Sequence, residues 1–433
     1  MNKKRIIILG AGLAGLSAAW HLKNRGYSCD LFEKEREAGG LCRSKDISGF
    51  TFDCDGHLLH FRHSYTKRFV QGLLNDNIRE HKRSAWVYSY KKFLPYPFQA
   101  HLYGLPARIV RECVVGFLGA VDNANMLHGN GDNFRSWINK RFGKGIARNF
   151  LIPYNKKFWT VPPKYLASEW VDGFIPQPSV GQVISGSIGE SCDGLGYNAR
   201  FFYPKNGGIN CLPQAISSNL ENIYLDSAVT AIDLKKKEIT INSRQKENFD
   251  YLISTIPLPE IPSLIKGLPG RIKKSLNDLK WNSIFNLNLG LEGKIFPEKH
   301  WVYFAQKDTC FFRVGFPANF SAGVTPSGSS SLYAEVSYSD RRPIDKSKIP
   351  NKIKSDLNKI GVKAKNLCAE DYNDIKYGYP IYDKNYRQSR ETALGYLAKH
   401  DIIGCGRYGS WKYMSMEDAI LDGKRVAEGL ISR

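Results

Sequence analysis

The hydrophobic pattern changes period several times along the chain, and each change marks an element. Ile6 to Leu9 are four consecutive apolar residues, the pattern of a short strand buried on both faces. Glycines follow at 10, 12 and 15. Leu13 to Asn24 then has helical spacing, and Ser28 to Phe32 reads as a second strand. Farther on, "IYLDSAVTAIDLKKKEITINS" predicts a strand pair joined by a Lys-rich turn. Phe249 to Leu258 predicts another parallel strand, ending in Thr255 and Pro257. Near the C-terminus, Ile402 and Ile403 are strand and Gly404, Gly406 and Gly409 give a turn. Ser415 there can cap a helix, with Asp418 three residues on. Between these pieces, residues 100–200 have helical character, and 266–385 mix strands with helix. There are no internal repeats and no low-complexity tract.

The first sixty residues carry chemistry as well as pattern. Gly10, Gly12 and Gly15 form G-x-G-x-x-G between a strand and a helix, and Glu33 ends the next strand eighteen residues after Gly15. Gly10 permits a tight turn, Gly12 lets the backbone approach a pyrophosphate, and Gly15 lets helix and strand pack closely. The helix N-terminus offers N–H groups and a partial positive charge, and Glu33 can accept from a ribose. The expected fold is α/β: a Rossmann-like dinucleotide-binding domain, discontinuous in sequence, with a helical insert and a mixed-sheet substrate subdomain. The predicted boundaries are 1–45, 205–265 and 386–433 for the dinucleotide domain, 100–200 for the helical insert, and 46–99 with 266–385 for the sheet-containing part. "KEREAGGLCRS" follows Glu33, with Gly39, Gly40 and Arg43. It resembles the second glycine pair of the FAD-binding superfamily that includes amine oxidases, and it selects FAD over NAD as the expected cofactor. That resemblance puts Val229 near the adenine. It makes the loop around Gly406, Arg407 and Ser415 the last flavin-binding element, with its helix N-terminus toward the isoalloxazine pyrimidine.

Composition narrows the partners. The chain has 433 residues, 42% hydrophobic and 24% charged, too many for one core. Its 62 basic and 41 acidic residues give a net charge of +21, spread along the chain, which reads as a solvated surface and also fits an anionic substrate, a membrane surface or nucleic acid. No aromatic–basic RNA motif or zinc-ligand spacing is present, so neither nucleic acid nor a metal is expected. Nine scattered cysteines without C-x-x-C point to reduced thiols and a cytoplasmic location. The glycine spacing argues against a signal peptide, and no apolar run is long enough to span a bilayer.

Four aromatic segments are richer than packing requires: "LPYPFQA", "IPYNKKFWTVPP", "HWVYFAQKDTCFFRVGF" and "YGYPIY". With "GRYGSWKY" they resemble the flavin-dependent UDP-galactopyranose mutase family, in particular its eukaryotic-type branch, over nearly the whole chain. The resemblance implies substrate contacts from Tyr96, Phe98, Gln99, Asn155, Trp159, Asn198 and Tyr303, with Arg313, Tyr379 and Tyr413 at the diphosphate and His57 beside the flavin. It implies interconversion of the pyranose and furanose forms of a UDP-galactose-like sugar, by attack of reduced flavin N5 on the anomeric carbon. The expected role is in supplying galactofuranose for cell-surface polysaccharide, with NAD(P)H as a reductant. Monomer and homodimer both remain open. Three positions depart from the family. Phe174 stands where a second diphosphate arginine is expected, Glu417 replaces an Asn near the phosphates, and Asp55 replaces the first glycine of a Gly-Gly-His turn. Arg200 and Lys205 are the nearest cations in sequence that could stand in for the missing one. The alternative reading is a flavin oxidase or desaturase of the amine-oxidase and protoporphyrinogen-oxidase type.

Overall fold

The computed structural model describes residues 4–123, 133–171, 174–190, 195–196, 199–363 and 366–431. A five-stranded parallel sheet runs in the order Ile402–Gly404, Tyr251–Ser254, Ile6–Leu9, Cys29–Phe32, Ile223–Tyr224. Its central strand explains the apolar run. Ile6 and Ile8 pack with one core, which includes helices Leu13–Lys23 and Met416–Ile431. Ile7 and Leu9 pack with another on the opposite face. Strands from the two chain ends and the middle thus meet in one sheet, on a mixed α/β architecture.

The segment expected to be a strand pair is divided between two sheets. Ile223–Tyr224 joins the parallel sheet, while Val229–Asp233, Glu238–Ile241 and Gln245–Asn248 form an antiparallel meander. The Lys-rich turn lies where expected, and the third strand was not foreseen. The strand read as Phe249 to Leu258 is confined to Tyr251–Ser254. Thr255 leaves it, and its hydroxyl donates to the Leu9 carbonyl at 2.8 Å.

A second sheet has seven strands, in the order Leu367–Ile381, Lys280–Glu292, Ser329–Tyr338, Arg313–Gly315, Trp301–Phe304, Ala85–Ser89, Lys92–Pro95. Residues 46–99 do not act as one unit. Strands Ser44–Ile47 and Phe50–Asp53 pair with each other, Ile78–Lys82 pairs with Arg200–Pro204, and only the last two strands enter the large sheet. Helices Ala107–Asp122, Phe134–Ile146, Ile152–Trp159 and Val180–Ile188 make up the helical region, with a π turn at Ala147–Leu151 feeding the third of them. Among the described residues, no helix is long and apolar enough to cross a membrane.

The strand Lys280–Glu292 has two different faces, and this places the site. Odd positions Phe285, Leu287, Leu289 and Leu291 fill a core. Even positions carry Asn282, Asn286 and Asn288, all buried. A buried amide must find partners. Asn282 donates to the Phe158 carbonyl at 2.7 Å and accepts from the Tyr379 N–H at 2.8 Å. Asn286 and Asn288 donate to the carbonyls of Cys54 and Asp53, at 3.3 and 3.0 Å. One polar strand face thereby holds the Asp53–His57 turn, the end of helix Ile152–Trp159 and the Tyr379 turn around a common centre.

Candidate functional site

The glycine turn separates what the protein needs from what a ligand needs. Gly10 has φ +96°, and a Cβ there would meet the Thr255 hydroxyl at 2.3 Å. A Cβ on Gly15 would meet the Gly10 carbonyl oxygen at 2.0 Å. The chain's own packing requires both. Gly12 has φ −70°, and its Cβ would come no closer than 3.9 Å to anything. Neither strain nor crowding within the protein calls for glycine there. The helix it begins has no side-chain cap and no acidic residue in its first turn, an arrangement suited to an anionic group. Gly39 donates to the Ala11 carbonyl at 2.8 Å, and a Cβ on Gly40 would lie 3.1 Å from the Gly12 Cα, so the second glycine pair lies directly against the first turn. Glu33 is buried and accepts from the N–H groups of Ala11 (2.7 Å) and Glu35 (3.0 Å). A carboxylate still has lone pairs for a hydroxyl donor. Arg43 Nε donates to the Gly40 carbonyl at 2.7 Å. Val229 is half-buried against the core that contains Phe32.

At the other chain end, Gly406 has φ +73°, and its N–H donates to buried Asp422 at 2.8 Å. Arg407 donates to the Met414 carbonyl and lies over the rings of Tyr379 (5.0 Å) and Tyr413 (5.8 Å). Ser415 and Asp418 close a capping box: Ser415 N–H donates to the Asp418 carboxylate at 2.8 Å, and Asp418 N–H to the Ser415 hydroxyl at 3.2 Å.

Over the polar sheet face stands a connected group of aromatic and arginine side chains. Tyr379 and Tyr413 stack at 5.5 Å. Trp159 meets them at 6.2 and 6.4 Å, and Phe158 lies 4.8 Å from Tyr379. Tyr303 is 5.2 Å from Tyr96 and 5.5 Å from Tyr154. Tyr303 is also the cross-strand partner of Arg313. Burial raises the phenol pKa values of Tyr96, Tyr379 and Tyr413, so these hydroxyls remain donors at neutral pH. Arg313 is held by Glu335, which is fully buried: Nη2 donates to Oε1 at 2.7 Å and Nε to Oε2. Burial works against the guanidinium charge, yet Glu335 outweighs it and Arg313 stays ionised. His57 is half-buried, with Nδ1 3.0 Å from the Asp55 carbonyl, and burial lowers its pKa.

Several candidates stand elsewhere. Phe98 and Gln99 are in the core; Phe98 stacks on Phe150 at 5.0 Å, and Gln99 donates to the Pro176 carbonyl at 2.6 Å. Asn155 is buried and donates to the Leu151 carbonyl of its own helix at 2.8 Å. Arg200 is mostly exposed and pairs with Glu80 at 3.3 Å, and Lys205 is exposed. Asn198 lies outside the described residues. Phe174 does reach the group, edge-on to Tyr413 at 4.9 Å. Glu417 is bound by the Arg62–Thr66 segment. Both its oxygens accept from the Arg62 and His63 backbone N–H groups at 2.9–3.0 Å, and Thr66 and the Arg62 side chain add further bonds. Four donors thus meet the charge of Glu417.

Three contributors were missed in the sequence. Arg83 stacks over Tyr96 at 4.8 Å, Tyr154 joins Tyr303, and Glu335 orients Arg313. Glu335 follows Arg313 by 22 residues, a separation with no periodic signal. The alternating asparagines of 282–288 were the available clue to the sheet face.

A family model described as flavin containing amine oxidoreductase matches residues 13–431. Protoporphyrinogen oxidase 2, chloroplastic/mitochondrial, of Arabidopsis thaliana is 22% identical across 100% of this chain and 94% of its own. A 1-hydroxycarotenoid 3,4-desaturase of Flavobacterium sp. is 42% identical over 60 residues, 14% of this chain and 12% of its own. Among solved structures, a reduced UDP-galactopyranose mutase superposes with TM-score 0.94 and 27% identity, covering 100% of this chain and 94% of that one. A putative protoporphyrinogen oxidase from Exiguobacterium sp. 255-15 superposes with TM-score 0.78 and 17% identity over the full length of both.

Proposed function

The chain belongs to the flavin containing amine oxidoreductase family, and within it we propose a nucleotide-sugar mutase that interconverts the pyranose and furanose forms of a UDP-galactose-like substrate. The observation that carries this reading is the convergence of Tyr96, Tyr303, Arg313, Tyr379, Tyr413 and Trp159, from five distant segments, into one aromatic–arginine group. The likeness to a mutase structure at TM-score 0.94 and 27% identity supports it.

FAD fits the residues present. The uncapped helix at Leu13 and the bare Gly12 would take its diphosphate, and Glu33 a ribose hydroxyl. Arg43 and the turn after Gly406 would flank its ring. When bound and reduced, for which NAD(P)H is a suitable donor, the flavin supplies the nucleophile.

The chain's own groups do the rest. A departing nucleoside diphosphate develops negative charge. Glu335 occupies the Nε–Nη2 edge of Arg313 and leaves the Nη1 edge for a phosphate oxygen. The hydroxyls of Tyr303, Tyr379 and Tyr413 would donate to the same oxygens, and burial keeps those of Tyr379 and Tyr413 protonated. Trp159 and Phe158 wall off water and hold the sugar in place. With Phe174 uncharged, the second cation comes from Arg407 or Arg83, both stacked on tyrosines of the group, rather than from Arg200 or Lys205.

The test is a reduced-protein incubation with UDP-galactose, read by chromatography for a furanose product. Its formation without oxygen uptake supports the mutase. A second reading, a flavin oxidase or desaturase, draws on the full-length similarity to protoporphyrinogen oxidase 2. Stoichiometric oxygen consumption with an oxidised product and no furanose would select it.

A further inference from the structure

Residues 305–312 join strand Trp301–Phe304 to strand Arg313–Gly315, and three of their backbone carbonyls converge on one point. Those of Gln306, Thr309 and Phe311 accept from Lys157 Nζ at 2.5, 3.0 and 3.1 Å. The Thr309 hydroxyl lies 3.3 Å from the same nitrogen. An ammonium has three N–H groups and no acceptor, so this set of carbonyls matches it. Lys157 is 6% exposed, on helix Ile152–Trp159. Three other bonds hold the end of that helix. Arg342 donates to the Lys157 carbonyl at 2.9 Å, Asn282 to the Phe158 carbonyl at 2.7 Å, and the Thr160 hydroxyl to that of Ser339 at 2.8 Å. Of these four side chains, only Lys157 bonds to the 305–312 loop. The loop carries Tyr303 and Arg313 just beyond its two ends, as cross-strand partners. The helix carries Tyr154, Phe158 and Trp159, whose rings meet Tyr303 and Tyr379.

We propose that Lys157 is a positioning residue: its hydrogen bonds to three loop carbonyls set Tyr303 and Arg313 against the helix that carries Tyr154, Phe158 and Trp159. The inference rests on the reading of this aromatic–arginine group as the site. Phe158 also meets Phe312 edge-on at 5.1 Å, but a contact between rings leaves room to slide. Three hydrogen bonds from one nitrogen fix both distance and direction. Taking an ammonium out of water is costly, and a side chain needed only to fill space would do better as methionine. Burial, aided by Arg342, pulls the Lys157 pKa down to about 7, against the opposing charges of Asp308, Cys310 and Asp356. Below that value the side chain is an ammonium and can serve all three carbonyls. As pH rises through it, the amine keeps two N–H groups and one carbonyl loses its donor.

The test compares wild type with Lys157→Met, each as full-length protein as purified, at about pH 6, where the wild-type side chain is protonated. A lysine-selective nitrogen-labelled NMR spectrum of wild type should contain a slowly exchanging ammonium signal with through-space contacts to Thr309. This readout does not depend on whether the variant folds. In Lys157→Met, confirmed as folded by thermal melting, backbone amides of both 154–159 and 304–313 should lose protection from hydrogen exchange by at least about tenfold. UDP should bind the variant about tenfold more weakly, the loss of alignment at one charge-assisted contact. Absence of the ammonium signal, or loss of protection confined to 304–313, would overturn the proposal. So would a variant that melts earlier yet keeps wild-type exchange or wild-type UDP affinity, because Lys157 would then contribute stability alone. If wild type itself does not bind UDP, the reading of the site fails, and the ammonium and exchange measurements still decide whether Lys157 joins the two segments.

Discussion

Arg313 and Glu335 show how one side chain determines what another can do. Glu335 is fully buried, so its negative charge is tolerable only because the guanidinium faces it. Removing the arginine strands that charge, and removing the glutamate strands the arginine. Glu335→Ala should therefore destabilise the fold by about 3–5 kcal/mol, seen as a lowered urea midpoint. Arg313→Met paired with Glu335→Leu should recover most of that stability without recovering turnover. Arg313→Lys keeps the charge and loses the two-pronged geometry. It should lower kcat/KM for a UDP-sugar by roughly tenfold or more, through lost phosphate contact. If Arg313→Lys turns over like wild type, the diphosphate is bound elsewhere. The glycines of the first turn make a second contrast. Gly15→Ala places a methyl group 2.0 Å from the Gly10 carbonyl and should unfold or shift the helix. Gly12→Ala meets nothing in the protein, so the flavin-free chain should keep its stability within about 1 kcal/mol while bound flavin, read by absorbance, is lost. Equal flavin content in Gly12→Ala and wild type would remove the pyrophosphate from that turn.

Elements explain why the site stays assembled. Helix Met416–Ile431 starts with a capping box and is fastened at its first turn by Glu417, which accepts from the segment entering helix Ser64–Leu74. Burial disfavours the Glu417 charge, but its bonds from Thr66, Arg62 and His63 prevail and hold its pKa below the ordinary value. A depressed carboxylate stabilises above its unfolded pKa, about 4.3, and that contribution disappears as pH falls through the folded value. Acid unfolding should thus be steeper in wild type than in Glu417→Gln, monitored by circular dichroism, and the two should converge at the lowest pH. Parallel curves would show that the contact has no weight. Helix Ile152–Trp159 is fastened in another way. The buried Lys157 ammonium donates to the carbonyls of Gln306 at 2.5 Å, Thr309 at 3.0 Å and Phe311 at 3.1 Å, which ties Trp159 to the strands carrying Tyr303 and Arg313.

At the scale of the whole molecule, a net charge of +21 surrounds a site whose own arginines are few and partly compensated. Long-range attraction and local recognition are then different terms. The apparent second-order rate for an anionic nucleotide sugar should fall severalfold between about 0.01 and 0.5 M salt, while kcat at saturation changes little. A salt-independent kcat/KM would assign recognition to local contacts alone. The strand–turn–helix at the N-terminus, the Ser415–Asp418 cap and the α/β class were all legible in the sequence, because each depends on residues a few positions apart. The aromatic words near 96, 159, 303, 379 and 413 were legible only as a resemblance, since nothing local says that they meet. Tertiary structure alone decided that Phe98 and Gln99 belong to the core, that Glu417 is bound by Arg62, His63 and Thr66, and that Glu335 orients Arg313. The reason is physical: glycine strain and helix capping are settled by neighbours along the backbone, whereas burial and charge pairing depend on which distant segments the sheets bring together.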